Sequence, residues 1–153
     1  MSDNNPFSEE RVSSLGMHRY AEDYFQAYTL LSDKKNNAIQ VRYYLICHSL
    51  ELSMKAVLRE AGYSMRQLLK LGHDLEKISR ELEQNNGINA KWDEQQKAII
   101  HVANIHYKSK EMEYFAQGTK SLVDFSIFSI FLTIWLRVSH TMIMELKKAK
   151  KQR

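Results

Sequence analysis

The sequence predicts an all-α fold: a helical bundle of about five helices with a long C-terminal helix. Three observations point to the all-α class. Apolar residues recur at every third or fourth position in each long segment, the spacing that lays side chains along one side of a helix. Only one proline, Pro6, and five glycines occur in 153 residues, so the turn chemistry that joins many short strands is missing. The length is that of one domain with a real core, and neither a glycine-rich nucleotide motif nor a solenoid-period repeat interrupts it.

Residues 1–10 are polar and lack the apolar stretch of a signal peptide. We expect residues 1–12 to form a flexible N-terminus, 13–148 a single helical domain and 149–153 a basic tail. The first helix is predicted from 13 or 14 to 32. Met17, Tyr20, Ala21, Tyr24, Phe25, Tyr28 and Leu31 form its apolar face, as expected of a packed aromatic stripe. A polar turn at 33–37 follows.

The second helix carries the most information. Val41, Tyr44, Leu45, Leu52, Val57 and Leu58 give it helical periodicity, and its alanine, leucine, methionine, glutamate and lysine residues are good helix formers. His48, Glu51 and Lys55 follow at steps of three and four, so they form one polar stripe. Glu51 and Lys55 are an i,i+4 pair in the favourable order. If that stripe is buried its charges need partners. His73 is the nearest in sequence, returned by the breaks at Gly62 and Gly72, and Glu51 and His73 are expected to meet.

Ser64 is positioned to cap a short helical step over 65–71. Gly72 ends it, and a further helix begins at 73 or 74 and runs to about 83. Residues 84–89 read as a loop. Asn89 is placed to cap a helix over 90–107, with Ile99, Ile100, Val102, Ala103 and Ile105 mostly inward. Residues 108–121 read as irregular, with a stop at Gly118. The last helix is predicted from about 121 to 148. Its 125–136 stretch is apolar nearly all round, yet shorter than the roughly 20 residues of a membrane span. It reads as a core helix or as one shared with a second copy of the chain.

Cys47 is the only cysteine. No intrachain disulfide is possible, consistent with a buried thiol in a reducing, cytoplasmic setting. His101 and His106 lie five apart, and no HExxH or Cys/His zinc spacing occurs; neither a metal nor another cofactor is predicted. The serines show no nucleophile elbow. Net charge is +4, but Lys147, Lys148, Lys150, Lys151 and Arg153 contribute five positive charges and leave the rest at −1. The basicity therefore belongs to a tail that complements the helix C-terminal dipole and aids solubility.

The run His48-Ser-Leu-Glu51-Leu-Ser-Met-Lys55-Ala56, then Gly62, then Gly72-His73-Asp74-Leu75, resembles HEPN-domain proteins. These form an α-helical superfamily of prokaryotic defence, toxin–antitoxin and nucleotide-linked systems. Tyr107-x-x-Lys110-x-x-Glu113-Tyr114-Phe115-x-x-Gly118 resembles the segment before the last helix in some members. The two matches together span about half the chain. The family's ribonucleases carry an arginine followed four to six residues later by a histidine, near the start of a late helix. Arg137 and His140 are closer in sequence and lie deep in the last helix. Arg42 and His48 have the spacing but lie in another element.

The resemblance thus implies a non-catalytic or degenerate module, homodimeric, binding a partner protein of nucleotidyltransferase type or a nucleotide-bearing ligand. His48, Glu51, Lys55 and His73 are its binding or structural cluster. An alternative is a metal-independent endoribonuclease acting on RNA as a dimer, with Arg137 and His140 as the weaker catalytic candidates. A third reading, ranked last, is a membrane-surface protein using the last helix and its basic end.

Overall fold

The computed structural model describes residues 8–9, 11–32, 38–114 and 117–153. Among these residues the fold is all-helical, with six helices and no strand. They are α1 (Ser14–Ser32), α2 (Ile39–Glu60), α3 (Met65–Lys70), α4 (Leu75–Gln84), α5 (Glu94–Lys108) and α6 (Phe125–Lys151). The predicted short step is α3. The polar turn at 33–37 lies outside the described residues.

Side-chain contacts fix the directions. Arg42 reaches Ser32 and Arg59 reaches the Val12 carbonyl, so α1 and α2 are antiparallel. His18 meets Leu136 while Tyr28 meets Phe125, so α6 is antiparallel to α1. It is therefore parallel to α2, as Tyr43 to Val123 and Ser53 to Trp135 show. Tyr43, Ile46, Leu50, Met54 and Leu58 of α2 are fully enclosed, together with Leu75, Ile78 and Leu82 of α4 and Phe128 and Leu132 of α6.

The second helix is thus the centre of the bundle, buried on several sides because α1, α4, α5 and α6 all pack on it. Its buried first turns present Arg42, Tyr43 and Ile46, whereas Val41 is exposed. The choice of Val41 as a core residue is corrected by the position of α6, which sets the inward direction. Tyr20 of α1 and Ile105 of α5 are likewise exposed rather than inward.

Helix α2 ends as Gly62 predicts. The Tyr63 N–H donates to the Leu58 carbonyl and the Gly62 N–H to the Arg59 carbonyl, the paired bonds of a Schellman cap. Gly62 has φ +108°, a conformation that penalises any residue with a Cβ. Ser64 caps α3 in a reciprocal box with Gln67, and Asp74 caps α4.

Two boundaries differ from expectation. Helix α5 starts at Glu94, not at 90, because Asp93 and Gln96 form the capping box. Residues 88–92 are non-helical and bury alternate side chains, Ile88, Ala90 and Trp92. The Trp92 indole N–H donates to the Ser79 carbonyl, and its ring lies 4.6 Å from that of Trp135. Helix α6 starts at Phe125 rather than near 121 because Asp124 accepts from the backbone N–H groups of Ser126 and Ile127.

The C-terminal end of α2 gathers further contacts from the approach to α1 and from the last turns of α6. Arg59 pairs with the Glu9 carboxylate at 2.7 Å and donates to the Glu9 and Val12 carbonyls, fastening the approach to α1. Residues 1–7 and 10 lie outside the described residues. The basic residues up to Lys151 belong to α6. Lys147 and Lys150 reach the buried Glu60 carboxylate at 3.1 and 2.9 Å, and the Ser14 hydroxyl donates to it as well.

The apolar run of α6 is divided. Phe128, Phe131, Leu132, Trp135 and Leu136 fill the core, while Ile127, Ile130, Ile134 and Val138 are 40–64 % exposed. By length and composition α6 suffices to cross a membrane. The qualifying stretch outruns residues 125–136 because Arg137 is the only charged residue among Lys, Arg, Asp and Glu between Phe125 and Met144.

Candidate functional site

His48, Glu51, Lys55 and His73 come together around one buried carboxylate. Helix periodicity places the first three on the same side of α2. The left-handed turn at Gly72, φ +60°, brings His73 back against them. Glu51 is 2 % exposed. Its Oε1 accepts from Lys55 Nζ at 2.6 Å, and its Oε2 accepts from His73 Nδ1 at 2.9 Å. The Tyr107 hydroxyl of α5 donates to the same Oε2 at 2.5 Å.

That last bond settles the proton on His48. The single Tyr107 hydroxyl proton is directed at Glu51, so His48 Nδ1, 2.7 Å from the Tyr107 oxygen, is the donor in that contact. His48 itself lies 3.7 Å from Glu51. Its ring is stacked on Tyr44 and met edge-on by Tyr24, with centroids 5.4 and 4.5 Å away. Lys55 also donates to the Gly72 carbonyl at 2.7 Å, tying the α3–α4 link to α2.

The electrostatics follow from this geometry. Burial alone would raise the Glu51 pKa. The histidine contacts and Lys55 outweigh it and hold the carboxyl well below the usual carboxylate range. The hydrogen bond to Glu51 raises His73 above its ordinary value against a smaller opposing effect of burial. Burial, then the neighbouring Glu51 charge, pushes the Tyr107 phenol far up, and burial likewise raises the Cys47 thiol. Glu51 therefore stays ionised with both oxygens engaged, which removes it as a proton acceptor at neutral pH. The cluster can bind and orient; its hydrogen bonds leave the ring nitrogens His48 Nε2 and His73 Nε2 and one Lys55 N–H uncommitted.

Arg137 and His140 lie elsewhere. Both are exposed on α6 and line a groove of about 670 Å³ between α1 and α6, with Glu22, Gln26 and Thr133 among its walls. The His140 ring sits 5.5 Å from that of buried His18. His18 Nε2 lies 3.1 Å from the Leu136 carbonyl and 3.0 Å from Ser139 Oγ, and burial lowers its pKa despite nearby Glu22.

Sequence reasoning missed Tyr107 as a member of the Glu51 cluster. A signal was present, since Tyr107 opens the second stretch of family resemblance, but pairing it with Glu51 needs the packing of α5 on α2. His18 and Glu60 gave no signal of their own. His101 and His106 pair separately with Glu76 and Glu111, at 2.9 and 2.8 Å. Among the described residues no three His, Cys, Asp or Glu side chains gather as a metal site requires. No family model, no curated protein and no solved structure matches this chain.

Proposed function

We propose that this chain is a HEPN-like helical module that acts by binding rather than turnover. It pairs with a second copy through α6 and engages a partner protein of nucleotidyltransferase type or a nucleotide-bearing ligand. The setting is a cytoplasmic one, in a prokaryotic defence or toxin–antitoxin system. The observation that carries this reading is the stripe of Ile127, Ile130, Ile134 and Val138, left exposed along a helix whose other face fills the core. Monomeric proteins rarely leave large contiguous apolar patches uncovered, and a self-complementary pairing of identical surfaces is the commonest way to cover one. The engagement of both Glu51 oxygens supports the non-catalytic part.

Light scattering over a concentration series tests the pairing. The chain is expected to have a dimer mass at tens of micromolar, and Ile134→Asp a monomer mass with unchanged helicity. A strictly monomeric parent protein overturns the reading.

One observation favours a second reading, a metal-independent endoribonuclease. Arg137 and His140 share the α1–α6 groove, where a cation and a general base would face one phosphate. Incubation with single-stranded RNA in chelator separates the two. RNA left intact supports the binding module. Cleavage lost in both Arg137→Ala and His140→Ala replaces it with the nuclease.

A further inference from the structure

A second cavity, of about 620 Å³, opens between the approach to α1, helix α2 and helix α3. Its walls are apolar, with Met17, Leu52, Met65 and Leu68 among them. Tyr20 and Leu69 also line it and are 64 % and 55 % exposed, large apolar side chains held at its mouth. Its polar groups are Lys55 and His73 with the Glu51 they hold, and Arg11 and Ser13 on the α1 side. A concave site of this size, apolar but for a few convergent polar groups, is the usual form of a small-molecule pocket.

The charges select the head group. Lys55 commits two of its three N–H donors, to Glu51 and to the Gly72 carbonyl. His73 commits Nδ1 to Glu51 and keeps Nε2. Against the single Glu51 carboxylate stand Lys55 and Arg11, joined by His73 when it is protonated. The cavity therefore favours an anion. Two remaining donors, one on Lys55 and one on protonated His73, match the two oxygens of one carboxylate. A phosphate monoester would bring a third oxygen and a second charge, which the Glu51 cluster has no further donor to meet and which would have to reach across to Arg11 or Ser13.

We propose that this cavity binds a small amphipathic carboxylate, its apolar body against Met17, Leu52 and Leu68 and its carboxylate at Lys55 and His73. This goes beyond the pairing through α6 and uses a different face of the bundle. The Glu51 cluster then has two roles in one place: it anchors the α3–α4 link and it presents a positive floor to a ligand.

Isothermal titration calorimetry below the micellar range tests the proposal with three probes of equal chain length: dodecanoate, dodecyl phosphate and dodecyltrimethylammonium. Dodecanoate is expected to bind once per chain, about tenfold or more tighter than either other probe. Leu69→Glu places an anion at the mouth without touching the Glu51 cluster. It is expected to weaken dodecanoate about tenfold or more at unchanged helicity and melting temperature. Equal binding of the ammonium probe, tighter binding of the phosphate, an undiminished affinity in Leu69→Glu, or no saturable binding of dodecanoate each overturns the proposal.

Discussion

Replacing Glu51 by alanine tests the central cluster most directly. Removing one partner of a buried ion pair costs about 3–5 kcal/mol, because the other charge stays behind. Three features of this cluster reduce that cost. Lys55 retains the Gly72 carbonyl, the Tyr107 hydroxyl retains His48, and the His73 side chain is 37 % exposed and can rehydrate. We therefore expect Glu51→Ala to lose about 2–4 kcal/mol, roughly 5–15 °C in melting temperature for a chain of this length. Urea unfolding followed by circular dichroism measures it, with an unchanged slope showing that only stability moved. The same substitution in a Lys55→Met background should cost less, since no buried ammonium is stranded, and that difference is the coupling a double-mutant cycle reads. A loss below about 0.5 kcal/mol, the range of ordinary surface substitutions, would refute the reasoning.

The His73–Glu51 bond gives a signed pH dependence. The folded state raises the His73 pKa above its ordinary 6.5, so the resulting stability is fully present below 6.5 and fades as pH rises through the raised value. The deficit of His73→Ala relative to the parent should accordingly be larger near pH 6 than near pH 9; a deficit that grows with pH contradicts this. Gly62→Ala forces a Cβ into φ +108° and should cost about 1–2 kcal/mol by chemical denaturation, whereas an unchanged midpoint would show that the turn relaxes freely. Lys147→Met with Lys150→Met leaves buried Glu60 the Ser14 hydroxyl. Hydrogen exchange in the last turns of α6 should speed up severalfold, and unchanged exchange would mean that apolar packing alone holds that end.

The parts of this fold legible in the sequence were those set by neighbours along the chain. Gly62, Ser64 and the His48–Glu51–Lys55 stripe obey rules that span four or five residues, and each marks its place without knowledge of the rest. The α5 boundary failed for a non-local reason. Asn89 is an acceptable cap taken alone, but burying Trp92 against Trp135 and Ser79 holds residues 88–92 out of the helix and gives the cap to Asp93. The inward face of α2 depended on α6 in the same way. At the site, Glu51 and His73 were joined by reasoning about unpaired charge, whereas Tyr107 lies 56 residues from Glu51 and carries no charge that demands a partner. Arg137 and His140 share a helix face by spacing, but only the packing of α1 makes that face a groove.

The Glu60 carboxylate has a topological consequence. It receives Ser14 from the first turn of α1 and Lys147 and Lys150 from the last turns of α6, so the two outermost described helices end at one atom group. The bundle is nearly a ring. A short bridge from the end of α6 to the start of α1, with the ring reopened in the exposed turn at Asn86 and Gly87, would reorder the chain without cutting a helix. Joined ends and an exposed opening are the conditions under which circular permutation is tolerated. By the same geometry, anything fused to the outer ends of α1 and α6 emerges from a single pole, on the side where residues 87–89 of the α4–α5 turn lie against the last turns of α6.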